Sequence, residues 1–228
     1  CLPLAERITR LSRAQTAEQI DFLVTNNLFI ERFERKNGED WYRYHPLLSD
    51  LLHQRLARLD GERADGLRSA ARDWLEENGH FDEAVKASAE LGDWEGVRRV
   101  IVRNWIQLYM SDNHYVLVRW AACLPRGELM RSPLVCAALS MPYALCGSFE
   151  LGEACLKNAI GHLHADEDFL FAMCLVQKAY LASFRDDRKD MRAYAEKALQ
   201  YLPEKELYLR GMMLQVKAAS FSDEPLKA

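Results

Sequence analysis

The sequence predicts a mostly α fold with one β-hairpin near its start. Three observations lead there. Over residues 28–44 the apolar period changes from helical to alternating. After Gly61 every apolar segment returns to helical spacing. Between those segments glycine-centred turn signals recur at a shared spacing.

Taken in order, Thr16 opens the first helical segment (TAEQIDFLVTNNLF, 16–29) as an N-cap residue type. Ile20, Leu23 and Val24 follow at helical spacing, and Asn26-Asn27 ends the helix. In LFIERFERKNGEDWYRY (28–44), Phe29, Glu31, Phe33 and Arg35 alternate with their neighbours as in a strand, although Ile30 breaks strict polarity alternation. Residues 36–40 are turn chemistry with Asn37-Gly38 at the centre. Trp41, Tyr42 and Tyr44 suit a returning strand. HPLLSDLLHQRLARL (45–59) is again helical. Pro46 fits its first turn, where a missing N–H costs nothing, and Leu47, Leu48, Leu51, Leu52, Leu56 and Leu59 make one apolar stripe. A helix feeding a two-stranded wing looks like the C-terminal part of a winged-helix domain.

Nine helical segments follow: 62–79, 80–91, 93–111, 114–124, 132–146, 148–163, 166–184, 188–202 and 205–220. Pro142 is expected to kink or split its helix. Three turns share a frame of glycine, aromatic two later and small residue five later: Gly79/Phe81/Ala84, Gly92/Trp94/Val97 and Gly147/Phe149/Gly152. The third continues with Leu156 and Ala159. Met191, Ala195, Ala198 and Pro203 keep those later spacings without the glycine or the aromatic. The pattern resembles the second half of a tetratricopeptide-type motif, in which small residues let two helices approach. Stacked helix pairs of that kind leave a concave surface for partners.

Composition narrows the function. The 228 residues are 49% hydrophobic and 28% charged, with net charge −4 and pI about 5.9. That is globular composition without the basic footprint of a nucleic-acid binder. No apolar run is long enough to cross a bilayer, and CLPLAERITR has no signal-peptide pattern. The expected location is cytoplasmic. The chain lacks a starting Met and ends on FSDEPLKA, so both ends read as cuts in a longer protein. Six cysteines stand at 1, 123, 136, 146, 155 and 174, none in a C-x-x-C pair. Cys136, Cys146, Cys155 and Cys174 lie among apolar residues and read as reduced core cysteines.

The chemistry-bearing motifs are weak. GERADGLRS (61–69) has two glycines at phosphate-loop distance but Leu67-Arg68 where lysine and a hydroxyl are needed. His162 and His164 would point to different faces of a helix, so they read as a solvated helix end. Acids in DEDF (166–169) suit a helix N-terminus. Trp105, Tyr109, Tyr115, Trp120 and Tyr180 read as core, with some free to line a groove. On the hairpin, Arg32, Arg35, Lys36 and Arg43 alternate with Glu31, Glu34, Glu39 and Asp40, which cancels the field DNA would need.

Three stretches then carry a resemblance: NNLFIERFERKNGEDWYRYHPLLSDLLHQRL (26–56), ARDWLEENGHFDEAVKASAELGDWEGV (71–97) and LVRWAACLPRGELMRSPLV (117–135). Together they resemble the large ATP-dependent, MalT-like regulators of the LuxR class, within the wider signal-transduction ATPases. Pro46 and Leu48 depart from the family, which commonly has histidine and phenylalanine there. The resemblance implies the C-terminal part of a winged helix at 1–59, a helical arm at 60–112 and the start of a TPR-like sensor at 113–228. It places a nucleotide-binding module before Cys1 and a DNA-binding helix-turn-helix after Ala228. By that reading the fragment itself holds no cofactor, hydrolyses no ATP and binds no promoter, whereas the full-length protein is a slow signalling ATPase using ATP and ADP.

The resemblance also implies a role for His45, in YHPLLSDLL (44–52): touching the β-phosphate of bound ADP in the closed state. The alternative for His45 is a structural cap at the strand–helix junction. The partners implied are a small-molecule inducer or a regulatory protein, and DNA only through the absent C-terminal domain. No membrane is involved, and self-association through an unfinished superhelix is expected. The rival reading is a TPR-like protein-binding scaffold with no nucleotide switch.

Overall fold

A computed structural model of the chain describes residues 1–36, 38–162 and 168–221. The chain divides into two compact units, Cys1–Gly96 and Val97–Ala228.

In the first unit, helices α1 (Leu2–Thr9) and α2 (Arg13–Thr25) precede the hairpin of β1 (Ile30–Lys36) and β2 (Glu39–Tyr44). Helices α3 (Pro46–Leu59), α4 (Gly61–Glu77) and α5 (Phe81–Glu90) follow it. The first of these, α1, was not foreseen. α2 begins three residues before Thr16, because Ser12 and Gln15 form a reciprocal capping box. Thr16 instead lies inside the helix, buried, with its hydroxyl donating to the Ser12 carbonyl at 3.0 Å.

The strands pair antiparallel from Ile30 opposite Tyr44 to Lys36 opposite Glu39, with a bulge between Arg32 and Glu34. That bulge leaves Phe33 unpaired, so the alternation read from Phe29 onward does not persist. Phe29 itself precedes the strand with φ of 55°. Asn37, the expected turn centre, lies outside the described residues; Gly38 beside it has φ of 83°. Arg32 pairs with Asp40 at 3.1 Å and Arg43 with Glu31 at 2.8 Å, so wing charges meet one another across the hairpin.

Trp41 turns inward and joins Leu75 of α4 and Ala84 of α5, with Leu4 and Trp74 packed against them. Buried His80, in the α4–α5 turn, fills the space between two tryptophans. Its ring stacks on Trp74 at 5.5 Å and meets the Trp41 edge at 4.8 Å. Arg72 reaches Asp93 at 2.8 Å, and Asp93 also accepts from the Gly96 amide at 3.0 Å. That second bond caps α6 (Trp94–Met110) at its start.

The second unit continues with α7 (His114–Ala121), α8 (Arg126–Met130), α9 (Pro133–Leu145), α10 (Phe149–His162), α11 (Asp168–Phe184), α12 (Arg188–Tyr201) and α13 (Leu207–Ala219). Pro142 does not split α9, which runs on to Leu145. Each residue of α9 from Val135 to Ala144 is buried. Helix α10 lies close against it: a Cβ at Gly152 would sit 2.5 Å from the Ser140 carbonyl oxygen. The small residue in that repeat therefore marks a close approach of two backbones.

The turn frame is wider than the glycines indicate. Gly79, Gly92, Asp112, Gly147 and Asp186 all take positive φ. At each, the following amide bonds back to the carbonyl five residues earlier: His80 to Leu75, Asp93 to Ser88, Asn113 to Leu108, Ser148 to Tyr143 and Asp187 to Ala182. These are Schellman closures. Five residues beyond each left-handed position lie Ala84, Val97, Leu117, Gly152 and Met191, all buried. The winged helix is thus followed by helical repeats. No helix among the described residues is long and apolar enough to cross a membrane.

Cys136, Cys155 and Cys174 are buried free thiols, but Cys146 is exposed, at the C-cap of α9. It sits past the last apolar turn, so it is not a core residue.

Candidate functional site

Two places concentrate features of a site, one in each unit. The first is the strand–helix handover at His45. Its backbone N–H donates to the Phe29 carbonyl at 2.6 Å, extending the hairpin by one bond. At ψ of 137° the chain then leaves the strand, and the His45 carbonyl accepts from the Leu48 and Ser49 amides, each at 3.0 Å. Pro46 removes one N–H that the first helical turn could not have used. So the junction is built by the backbone of His45. Its imidazole makes no cap hydrogen bond, is exposed, and touches the Phe29 ring edge-on at 6.5 Å.

The second is a groove of about 520 Å³ in the helical repeats, within the range of small-molecule sites. Helical spacing builds its walls. Trp105 and Tyr109 stand one turn apart on α6; Phe169, Met173 and Tyr180 share a face of α11; Tyr208 and Met212 face in from α13. The floor includes Ala138 and Pro142 of α9. Pro142 has no N–H to return to the Ala138 carbonyl, its usual i−4 partner. Gln177, also in the lining, is held in place by donating to the Ala137 carbonyl at 3.2 Å and accepting from Ser140 Oγ.

The phenols of this groove influence one another. Burial pushes the Tyr109 hydroxyl above its ordinary value, and neighbouring Tyr208 adds to the effect. Tyr180 is raised by burial and then by Tyr109 and Tyr208. Tyr109 and Tyr180 therefore stay neutral near physiological pH. At the rim stand Asp112, with His114 Nδ1 3.3 Å from its carboxylate, and Glu206 at the N-cap of α13.

Of the five aromatics read from sequence, Trp105, Tyr109 and Tyr180 line this groove, Trp120 is buried, and Tyr115 is exposed. Sequence reasoning missed Tyr208, Glu206 and the methionines at 141, 173 and 212. The available signal was the i, i+4 pairing of Trp105 with Tyr109 and Tyr208 with Met212. His162 Nδ1 lies 2.9 Å from the Asn158 carbonyl, and His164 lies outside the described residues, as do Asp166 and Glu167. GERADGLRS is the start of α4, a helix rather than a loop.

Residues 1–64 match the family described as the MalT winged helix domain. The serine/threonine-protein kinase PknK of Mycobacterium tuberculosis is 38% identical over 66 residues, 29% of this chain and 6% of the kinase. The HTH-type transcriptional regulator MalT of Klebsiella pneumoniae is 27% identical over 116 residues, 50% of this chain and 12% of that protein. The matched stretches thus span only a small part of these relatives. No solved structure gives a significant match. With its paired wing and the helix that follows, the stretch 1–64 is similar to the MalT winged helix domain, and helical repeats follow it.

Proposed function

We propose that this chain is the winged-helix and sensor portion of an ATP-dependent transcriptional activator. The aromatic groove of the second unit carries the reading, because it offers a concave, mostly apolar site of ligand size within the repeats. The repeats are TPR-like in organisation, with an arm preceding the sensor. An inducer or a regulatory protein seated there shifts the regulator from a closed ADP state to an open one that exchanges ATP and self-associates. Catalysis and DNA binding belong to modules outside these residues, and the protein acts in the cytoplasm.

His45 is the contact to the ADP phosphate in the closed state. The exposed, uncapped ring at the start of α3 supports this role over that of a structural cap. The test is His45→Ala in the complete regulator. Faster ADP release and activity without inducer are expected; unchanged nucleotide retention and inducer dependence would refute the role. For the sensor, Met212→Trp in the complete regulator should fill the groove and abolish the inducer response while leaving nucleotide binding intact. A full response in that variant would place sensing elsewhere.

A second reading, a protein-binding scaffold without a nucleotide switch, has one observation in its favour: α3 exposes Leu47 and Leu51. A phosphate-loop sequence encoded upstream separates the two readings. The relatives include both a kinase and a transcriptional regulator by name, so these residues alone do not set the output.

A further inference from the structure

We infer that the groove of the second unit takes a small organic cation with an aromatic or apolar body, such as a quaternary ammonium compound. This rests on the reading of the repeats as the sensor and adds the chemical class of what they sense.

Charge and ring placement carry it. Among the described residues, the groove is lined by two carboxylates, Asp112 and Glu206, and one histidine, His114, with no lysine or arginine. Arg210, the arginine of α13 nearest Glu206 in sequence, is engaged elsewhere: it donates to the Leu199 and Leu202 carbonyls at 3.0 and 2.8 Å. An anionic ligand would meet like charge and find neither lysine nor arginine to pair with. A neutral ligand can use the rings and phenols too, but it leaves the rim carboxylates without a charge of opposite sign. A cation gains twice, from Glu206 and the more exposed Asp112 at the rim and from the lining rings of Trp105, Tyr109, Tyr180 and Tyr208. The rings suit a diffuse, weakly hydrated ammonium better than a compact one, since desolvation costs it less. Methionines 141, 173 and 212 supply adaptable packing for the uncharged part. Glu206 makes no side-chain cap bond to α13, so its carboxylate is available to the ligand.

The test uses three probes with one naphthyl body: (2-naphthylmethyl)trimethylammonium, 2-naphthylmethanol and 2-naphthoate. Their Kd values for the 228-residue chain are measured by calorimetry. The ammonium should bind at least about tenfold more tightly than the alcohol, with the carboxylate weakest. Glu206→Gln should erase several-fold of the ammonium preference and leave the alcohol unchanged. Tyr208→Ala, at a position 64% exposed and so harmless to folding, should weaken the ammonium most.

Binding of the carboxylate equal to that of the ammonium, or an ammonium affinity untouched by both variants, overturns the proposal. Alcohol binding that depends on Tyr208 without an ammonium preference overturns the charge class but leaves the groove as a ligand site. If none of the three binds, the proposal fails. The sensor reading is then judged separately, by the inducer response of Met212→Trp in the complete regulator.

Discussion

Helices α3 and α9 are of similar length and both are leucine-bearing and apolar, α3 along one stripe and α9 on every side, and they end in opposite surroundings. On α3, Leu47 is 76% and Leu51 60% exposed, whereas Leu139 of α9 is fully buried. The difference lies in the neighbours. Helix α9 is packed by α7, α8, α10 and α11, while the main helical neighbour of α3 is α4. Helical spacing announces that a face is apolar. It does not announce whether the chain that carries the face also covers it.

Substitutions measure that contrast directly. The largest effect is expected from Gly152→Val, which sets a branched side chain against the Ser140 carbonyl oxygen, where even a Cβ would sit at 2.5 Å. Backbone cannot give way as a side chain can, so a loss of about 4 kcal/mol is expected. Hydrogen exchange should show α9 and α10 losing protection. Retained protection there would mean that the two backbones are free to separate.

Leu139→Ala should cost about 3 kcal/mol, from lost burial and the cavity left behind. Chemical denaturation of the chain measures it. A cost below about 1 kcal/mol would show that the α9 surroundings collapse to fill the space.

An intermediate effect depends on pH. Burial raises the Cys174 thiol from its ordinary 9.0 to about 12, with Lys178 opposing weakly. Between those values the folded chain keeps a proton that the unfolded chain has lost. The stabilisation is therefore whole below pH 9 and disappears as pH rises through about 12. Cys174→Ala should make the alkaline decline shallower by up to about 1.4 kcal/mol per pH unit. Parallel declines for the two proteins would place the thiol in contact with water.

The smallest effect is expected at the exposed stripe. Leu47→Ala and Leu51→Ala should each change stability by no more than about 0.5 kcal/mol. A cost near that of Leu139→Ala would mean that α3 is covered in solution, by a second copy or by another part of the regulator. Light scattering then distinguishes the two.

Several elements were legible in the residues. The hairpin followed from a change of period and an Asn-Gly turn. Pro46 and the leucines after it located α3. Glycines 79, 92 and 147 marked three helix ends, because a left-handed turn is least strained without a Cβ. The breaks at Asp112 and Asp186 were readable as turns, but their left-handed form was hidden, since aspartate tolerates that conformation and also serves in many others. The start of α2 was misplaced for a related reason: Ser12 and Thr16 are both N-cap types, and only the reciprocal bond with Gln15 chooses between them.

By itself, then, the sequence determined what depends on near neighbours along the chain: helical period, the wing, the turn chemistry and the residues that resemble MalT-like regulators. Tertiary structure alone decided which faces meet. It placed His80 between Trp41 and Trp74, set Gly152 against the α9 backbone, and gathered Trp105, Tyr109, Tyr180 and Tyr208 from three helices into one groove. Those residues lie as far as 103 positions apart (Trp105 to Tyr208). Local propensity carries no information over such distances; only the packing of repeat on repeat brings them together.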